Sequence, residues 1–194
     1  QKGWNAGDGN LRLTLKRMSL SLNPNQPDLW AEYLPELIAN AAAVSGSVPK
    51  FNLSSLSMTS FTSATSQKLG SQLMQAATKL KDKPSIAAPL ITLASRLNLG
   101  QQQQIDLEKL TQDLILKATE QSNVTATLIL AESQPGVAQN NRQTVVPLLV
   151  TYIRDELRTG NFTGATKTAD LLTNTLKMDI EFGPLILEEF ADEL

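Results

Sequence analysis

The chain has 194 residues, 41% of them apolar, 5% aromatic and 19% charged, with no cysteine, no histidine and a net charge of −2. Without cysteine it holds no disulfide, thiol nucleophile or thiolate metal site. Without histidine it lacks the commonest general base, zinc ligand and pH switch, and a histidine-dependent serine triad is excluded.

The length suits one domain or two small ones, with a core built from Leu, Ile, Val and Ala. Residues 1–100 carry 10 Lys/Arg against 5 Asp/Glu, and residues 101–194 carry 7 against 14. Such polarity can orient a partner or favour head-to-tail contact, although helices also carry charge simply to stay solvated. No apolar run approaches the ~20 residues of a membrane span. No signal-peptide pattern stands at the start, and Gln1 in place of an initiator Met is what a processed form or a part of a longer chain would show.

Residues 1–10 are rich in turn formers; "GDGN" lacks the carboxylate spacing of a calcium loop and reads as a turn. Residues 11–22, "LRLTLKRMSLSL", carry two patterns at once. Leu11, Leu13 and Leu15 alternate as in a half-buried strand, yet Leu11, Leu15, Met18 and Leu22 also form a helical stripe. Ser19, Ser21 and the position of Leu13 tip the balance to a strand. "NPNQP" ends the segment, and Pro27 with Asp28 suits a helix start. Leu29, Tyr33, Leu37 and Ala41 then recur at helical spacing, with Pro35 as a kink. Residues 45–62 are rich in Ser and Thr, and their Phe51, Leu53, Leu56, Met58 and Phe61 fit an extended segment. A strand needs a partner, so a strand over 11–22 would pair with 51–61 as a small two-stranded β element; a helix over 11–22 would instead make the protein all-α, with the Ser-rich segment as a loop.

From residue 63 the pattern is helical. Leu69, Leu73, Ala77 and Leu80 form one stripe, closed by "KDKP". "SIAAPLITLASRLNLG" predicts a second helix stopped by Gly100. Leu107, Leu110, Leu114 and Ala118 mark a third, its buried face widened by Ile105 and Leu116. "VTATLILAE", a turn at "SQPG", a helix stopped by Gly160, "GATKTADLLTNTLKM" and "GPLILEEFADEL" follow. An internal echo relates "PLITLASRLNLG…DLEKLTQDLIL" to "PLLVTYIRDELRTG…TKTADLLTNTL", with Pro89 and Pro147 opening comparable helix–turn–helix pairs. This doubling points to stacked helical pairs.

No stretch carries strong chemistry. Gly160 and Gly164 lack the spacing of a phosphate loop. Asp106 with Asp113, Asp155 with Glu156, and Glu188 with Glu189 are the candidate paired carboxylates. Each is better explained by a helix N-terminus or a solvated face. Lys79, Lys81 and Lys83, like Arg12, Lys16 and Arg17, could touch phosphate, but an acidic chain with few aromatics offers no stacking platform for nucleic acid. The triplets Asn52-Leu-Ser, Asn123-Val-Thr and Asn161-Phe-Thr match the glycosylation pattern no more often than composition allows. Trp30 and Tyr33 share one helix face, as core residues or as anchors for a partner.

The sequence therefore predicts a mainly α protein: an irregular helical bundle or a short α-solenoid of helix–turn–helix pairs, with or without the small two-stranded β element in its N-terminal third. Residues 1–62 form an N-terminal segment continuous with a helical domain over 63–194. The expected function is non-enzymatic, a helical scaffold or protein–protein interaction module within a larger chain or assembly. It needs no cofactor or metal, and its partner is another protein or a second copy of itself. Trp30, Tyr33, Phe51, Leu53, Leu56, Met58 and Phe61 are the candidate contact residues. The alternative is a helical ligand-binding or sensory domain that encloses an apolar small molecule.

Overall fold

Thr62 opens the longest continuous stretch of described residues: its Oγ1 accepts from the Thr65 amide at 3.2 Å and so caps α1, Ser63–Lys79. In the computed structural model, residues 14–16, 18–20, 29, 32–33, 36–37, 62–177 and 184 are described. After α1 come α2 (Pro84–Ser95), α3 (Gln101–Glu120), α4 (Val124–Ser133), α5 (Pro135–Asn140), α6 (Arg142–Arg158) and α7 (Phe162–Asp170). The chain then passes into a π-helical turn, Leu171–Thr175, in which the Leu176 amide donates to Leu171 O at 3.0 Å. The protein is mainly α, and the described residues include no strand.

Packing follows chain order. Helix α1 meets α2 and α3, α2 meets α3 and α4, α3 and α4 both reach α5 and α6, and α6 pairs with α7. This is the local stacking expected of helical pairs. Helix α2 is the most enclosed: Ile86, Ala87, Ala88, Leu90, Ile91, Leu93 and Ala94 are all buried, so apolar residues line more than one of its faces. Leu114, Ile115, Leu130, Leu149, Ile153 and Leu172 complete one continuous aliphatic core. Leu20 and Leu37 belong to that same cluster, and Leu29 and Tyr33 pack against it.

Two joints share one construction. At the end of α3 the Asn123 amide donates to Ala118 O (2.8 Å) and the Ser122 amide to Thr119 O (3.0 Å), with Ser122 at φ 52°. At the end of α6 the Asn161 amide donates to Glu156 O (2.8 Å) and the Gly160 amide to Leu157 O (3.0 Å), with Gly160 at φ 76°. Both are helix ends closed by one left-handed residue. In each, the next residue is an Asn whose Oδ1 caps the following helix, accepting from Ala126 at 3.1 Å or from Gly164 at 3.2 Å. The sequences "QSNVTA" and "TGNFTG" thus turn the chain from one helix directly into the next, and two of the glycosylation-like triplets have a structural reason for their Asn.

Several expectations are corrected. Residues 14–16 and 18–20 are helical, so the strand reading of 11–22 fails where that segment is described. Its inward face is also shifted. Lys16 (4% exposed) and Leu20 are buried four residues apart, whereas Met18, assigned to the buried stripe, is 55% exposed. The proposed strand partner, 51–61, lies outside the described residues. Pro89 and Pro147 do not open helices; each is the sixth residue of its helix, α2 and α6. Pro84 and Pro135 take the opening position instead, where the missing amide costs nothing. "SQPG" is accordingly a one-residue link into α5 rather than a turn. Gly100 caps the start of α3, its amide donating to Gln103 Oε1 at 3.2 Å, and α2 has already ended at Ser95. Ile105 is 40% exposed; Thr111 and Ile115 occupy the buried face of α3 in its place.

Candidate functional site

Glu32 and Glu36 both stand at described helical positions of the N-terminal segment and border one opening. Helix α1 carries Gln72, Gln75, Ala76 and Lys79 at helical spacing, followed by Leu80 at its end, on the stripe beside its buried Leu69–Leu73–Ala77 face. Together they enclose an open crevice of about 340 Å³ lined by Glu32, Glu36, Gln72, Gln75, Ala76, Lys79 and Leu80. Ala76 and Leu80 pack on the core and form an apolar floor. The exposed Glu32, Gln75 and Lys79 stand around it.

One wall is braced from beneath. The Lys16 ammonium, buried with its side chain, pairs with Glu36 Oε2 and lies 5.1 Å from the centre of the Tyr33 ring. This is an ion pair and a cation–π contact on one cation. Burial, and then the negative charge of Glu32, push the Tyr33 hydroxyl above its ordinary value. On the opposite wall Gln72 Oε1 is buried with no hydrogen-bond partner among the described residues. A lone buried acceptor costs about 1–3 kcal/mol relative to a paired one, a cost the fold by itself leaves in place.

A second crevice, of about 410 Å³, opens where α2 and α4 end side by side. Thr92, Ser95 and Arg96 line it from the α2 side, and Ile129, Glu132 and Ser133 from α4. Thr92 Oγ1 and Ser133 Oγ lie 2.6 Å apart across its floor, and the hydroxyls of Ser133 and Ser95 donate to Ile129 O and Thr92 O at 2.6 and 3.0 Å.

Of the contact residues read from the sequence, only Tyr33 is described. It is half-buried, packs on the core and holds the Lys16 cation over its ring. Trp30, Phe51, Leu53, Leu56, Met58 and Phe61 lie outside the described residues. The crevice residues of α1 went unselected by pattern because an amide-rich stripe reads as plain solvated helix. The available signal was the i, i+3, i+4, i+7 recurrence of Gln72, Gln75, Ala76 and Lys79.

Among the described residues the candidate carboxylates do not converge; Glu188 and Glu189 lie outside the described residues. Asp106 accepts from Gln102 Nε2 at 3.1 Å, Asp155 pairs loosely with Arg158 at 3.7 Å, and Glu156 accepts from Asn161 Nδ2. No group of three or more metal-ligating side chains occurs among the described residues. No described helix is long and apolar enough to cross a membrane. Comparison with protein-family models, curated proteins and solved structures gave no match.

Proposed function

We propose that the chain is a non-enzymatic helical interaction module, part of a larger chain or assembly, and that it docks a partner protein or a second copy of itself over the Glu32–α1 crevice. The observation that carries this reading is the composition of that crevice: an apolar floor of Ala76 and Leu80 inside a rim of Glu32, Gln75 and Lys79. An apolar centre with a polar rim is the anatomy of a protein contact. The unpaired Gln72 acceptor adds to it, since a donor from a partner, met by rotation of the amide, would recover the cost of its burial. A domain that encloses an apolar ligand calls for a closed chamber of Leu and Ile, and both described crevices are open and polar-walled.

The test is Ala76→Arg, which fills the floor with a charged side chain. Light scattering after size exclusion reads self-association, and affinity capture from the source organism's extract followed by cross-linking reads a hetero-partner. A complex that forms with the wild-type chain and is lost in Ala76→Arg at unchanged melting temperature supports the reading. Equal complex formation by both chains, or cross-links that avoid α1, overturns it.

A further inference from the structure

The crevice between the ends of α2 and α4 lies wholly within the continuous helical stack and plays no part in the docking face. Arg96 stands on one wall and Glu132 on the other, both exposed. Neither side chain has an ion-pair or hydrogen-bond partner among the described residues.

The floor between them is acceptor-rich. Ser133 spends its hydroxyl proton on Ile129 O, Ser95 on Thr92 O, and Thr92 on Ser133 or on Ala88 O. Lone pairs therefore remain for a visiting donor. The C-terminal ends of α2 and α4 add the negative potential of their last carbonyls, which favours a cation. Arg96, the cap residue of α2, supplies the one guanidinium, whose fork suits a carboxylate. Ile129 provides an apolar patch beside the polar floor.

A cation-seeking floor beside Glu132 and a carboxylate-seeking Arg96 across the opening suit a ligand that carries both charges. We infer that this crevice binds a free zwitterionic α-amino acid. Its ammonium lies over Glu132 and the Thr92–Ser133 hydroxyls, its carboxylate meets Arg96, and its side chain lies against Ile129. The volume, about 410 Å³, is at the small end of ligand sites and suits a molecule of that size.

The experiment is an amide-resolved NMR titration of the full chain with L-leucine, N-acetyl-L-leucine and L-leucine methyl ester. The inference expects saturable, millimolar shifts at Thr92, Ser95, Glu132 and Ser133 with L-leucine, and at least roughly tenfold weaker binding of each singly charged analogue. Arg96→Gln should weaken L-leucine by roughly tenfold while leaving the methyl ester unaffected, and Glu132→Gln should do the converse with the N-acetyl compound. Both side chains are exposed, so the variants keep their fold, which the unshifted remainder of each spectrum checks. Absence of saturation with L-leucine, shifts confined to other residues, or equal binding of all three compounds overturns the inference.

Discussion

Gly70 lies on the buried face of α1, where a Cβ would come within 2.3 Å of Leu99 Cδ2 and 3.6 Å of Leu99 Cγ. Gly70→Ala therefore sets two effects against each other. Ala is favoured over Gly inside a helix by about 0.5–1 kcal/mol. The added methyl must displace Leu99, itself buried beside Leu97, and overpacking of this kind costs about 1–3 kcal/mol. Steric conflict wins, and the variant should lose about 1 kcal/mol. In a Leu99→Ala background the obstructing atoms are gone and only the helix term survives. The same Gly70→Ala change should there stabilise by about 0.5–1 kcal/mol. Urea unfolding of all four chains, followed by far-ultraviolet circular dichroism, measures the cycle. If Gly70→Ala has the same effect in both backgrounds, to within about 0.5 kcal/mol, the contact with Leu99 does not govern this position.

The two matched joints predict opposite signs for reciprocal changes. Ser122→Gly should stabilise by about 0.5–1 kcal/mol and Gly160→Ala should destabilise by about 1–2 kcal/mol, because both positions hold a positive φ. Equal signs in denaturation midpoints would refute the shared construction, as would Asn123→Ala and Asn161→Ala costing much less than about 1 kcal/mol each. Glu36→Gln removes the Glu36 carboxylate from the buried Lys16 ammonium and should cost about 1–3 kcal/mol, softened by the partial exposure of Glu36. Lys16→Met added to that variant should restore much of the loss in thermal unfolding. Tyr152 is held above its ordinary value by burial, by its hydrogen bond to Glu156 and by the charge of that carboxylate. Its contribution is thus fully present below about pH 10 and is lost as pH rises through the higher folded value. Tyr152→Phe should flatten the alkaline fall in melting temperature, and an unchanged slope would refute that assignment.

The paired helices were legible because period 3.6 recurs over many turns: Leu69, Leu73 and Ala77 lie inward, as do Leu107, Leu114 and Ala118. Leu29, Tyr33 and Leu37, read as one helical stripe, all meet the core. Gly160 was equally legible, since a left-handed helix end is a local demand that a glycine answers cheaply. Pattern failed where a polar residue took an apolar place. Nothing in "LRLTLKRMSL" marks Lys16 as an inward residue; it meets Glu36, 20 positions further along the chain, and the Tyr33 ring. The amide stripe of α1 was illegible for the opposite reason, because exposed Gln residues gain meaning only from what faces them.

Composition and periodicity by themselves fixed the class of object, a histidine- and cysteine-free stack of helices, because burial of aliphatic side chains depends on spacing that any reader of the chain can count. The tertiary structure alone decided which side chains meet. The crevices, the Lys16–Glu36–Tyr33 cluster and the unpaired Arg96 and Glu132 are products of the angles and offsets at which helices pack, and those are set by contacts between residues far apart in sequence.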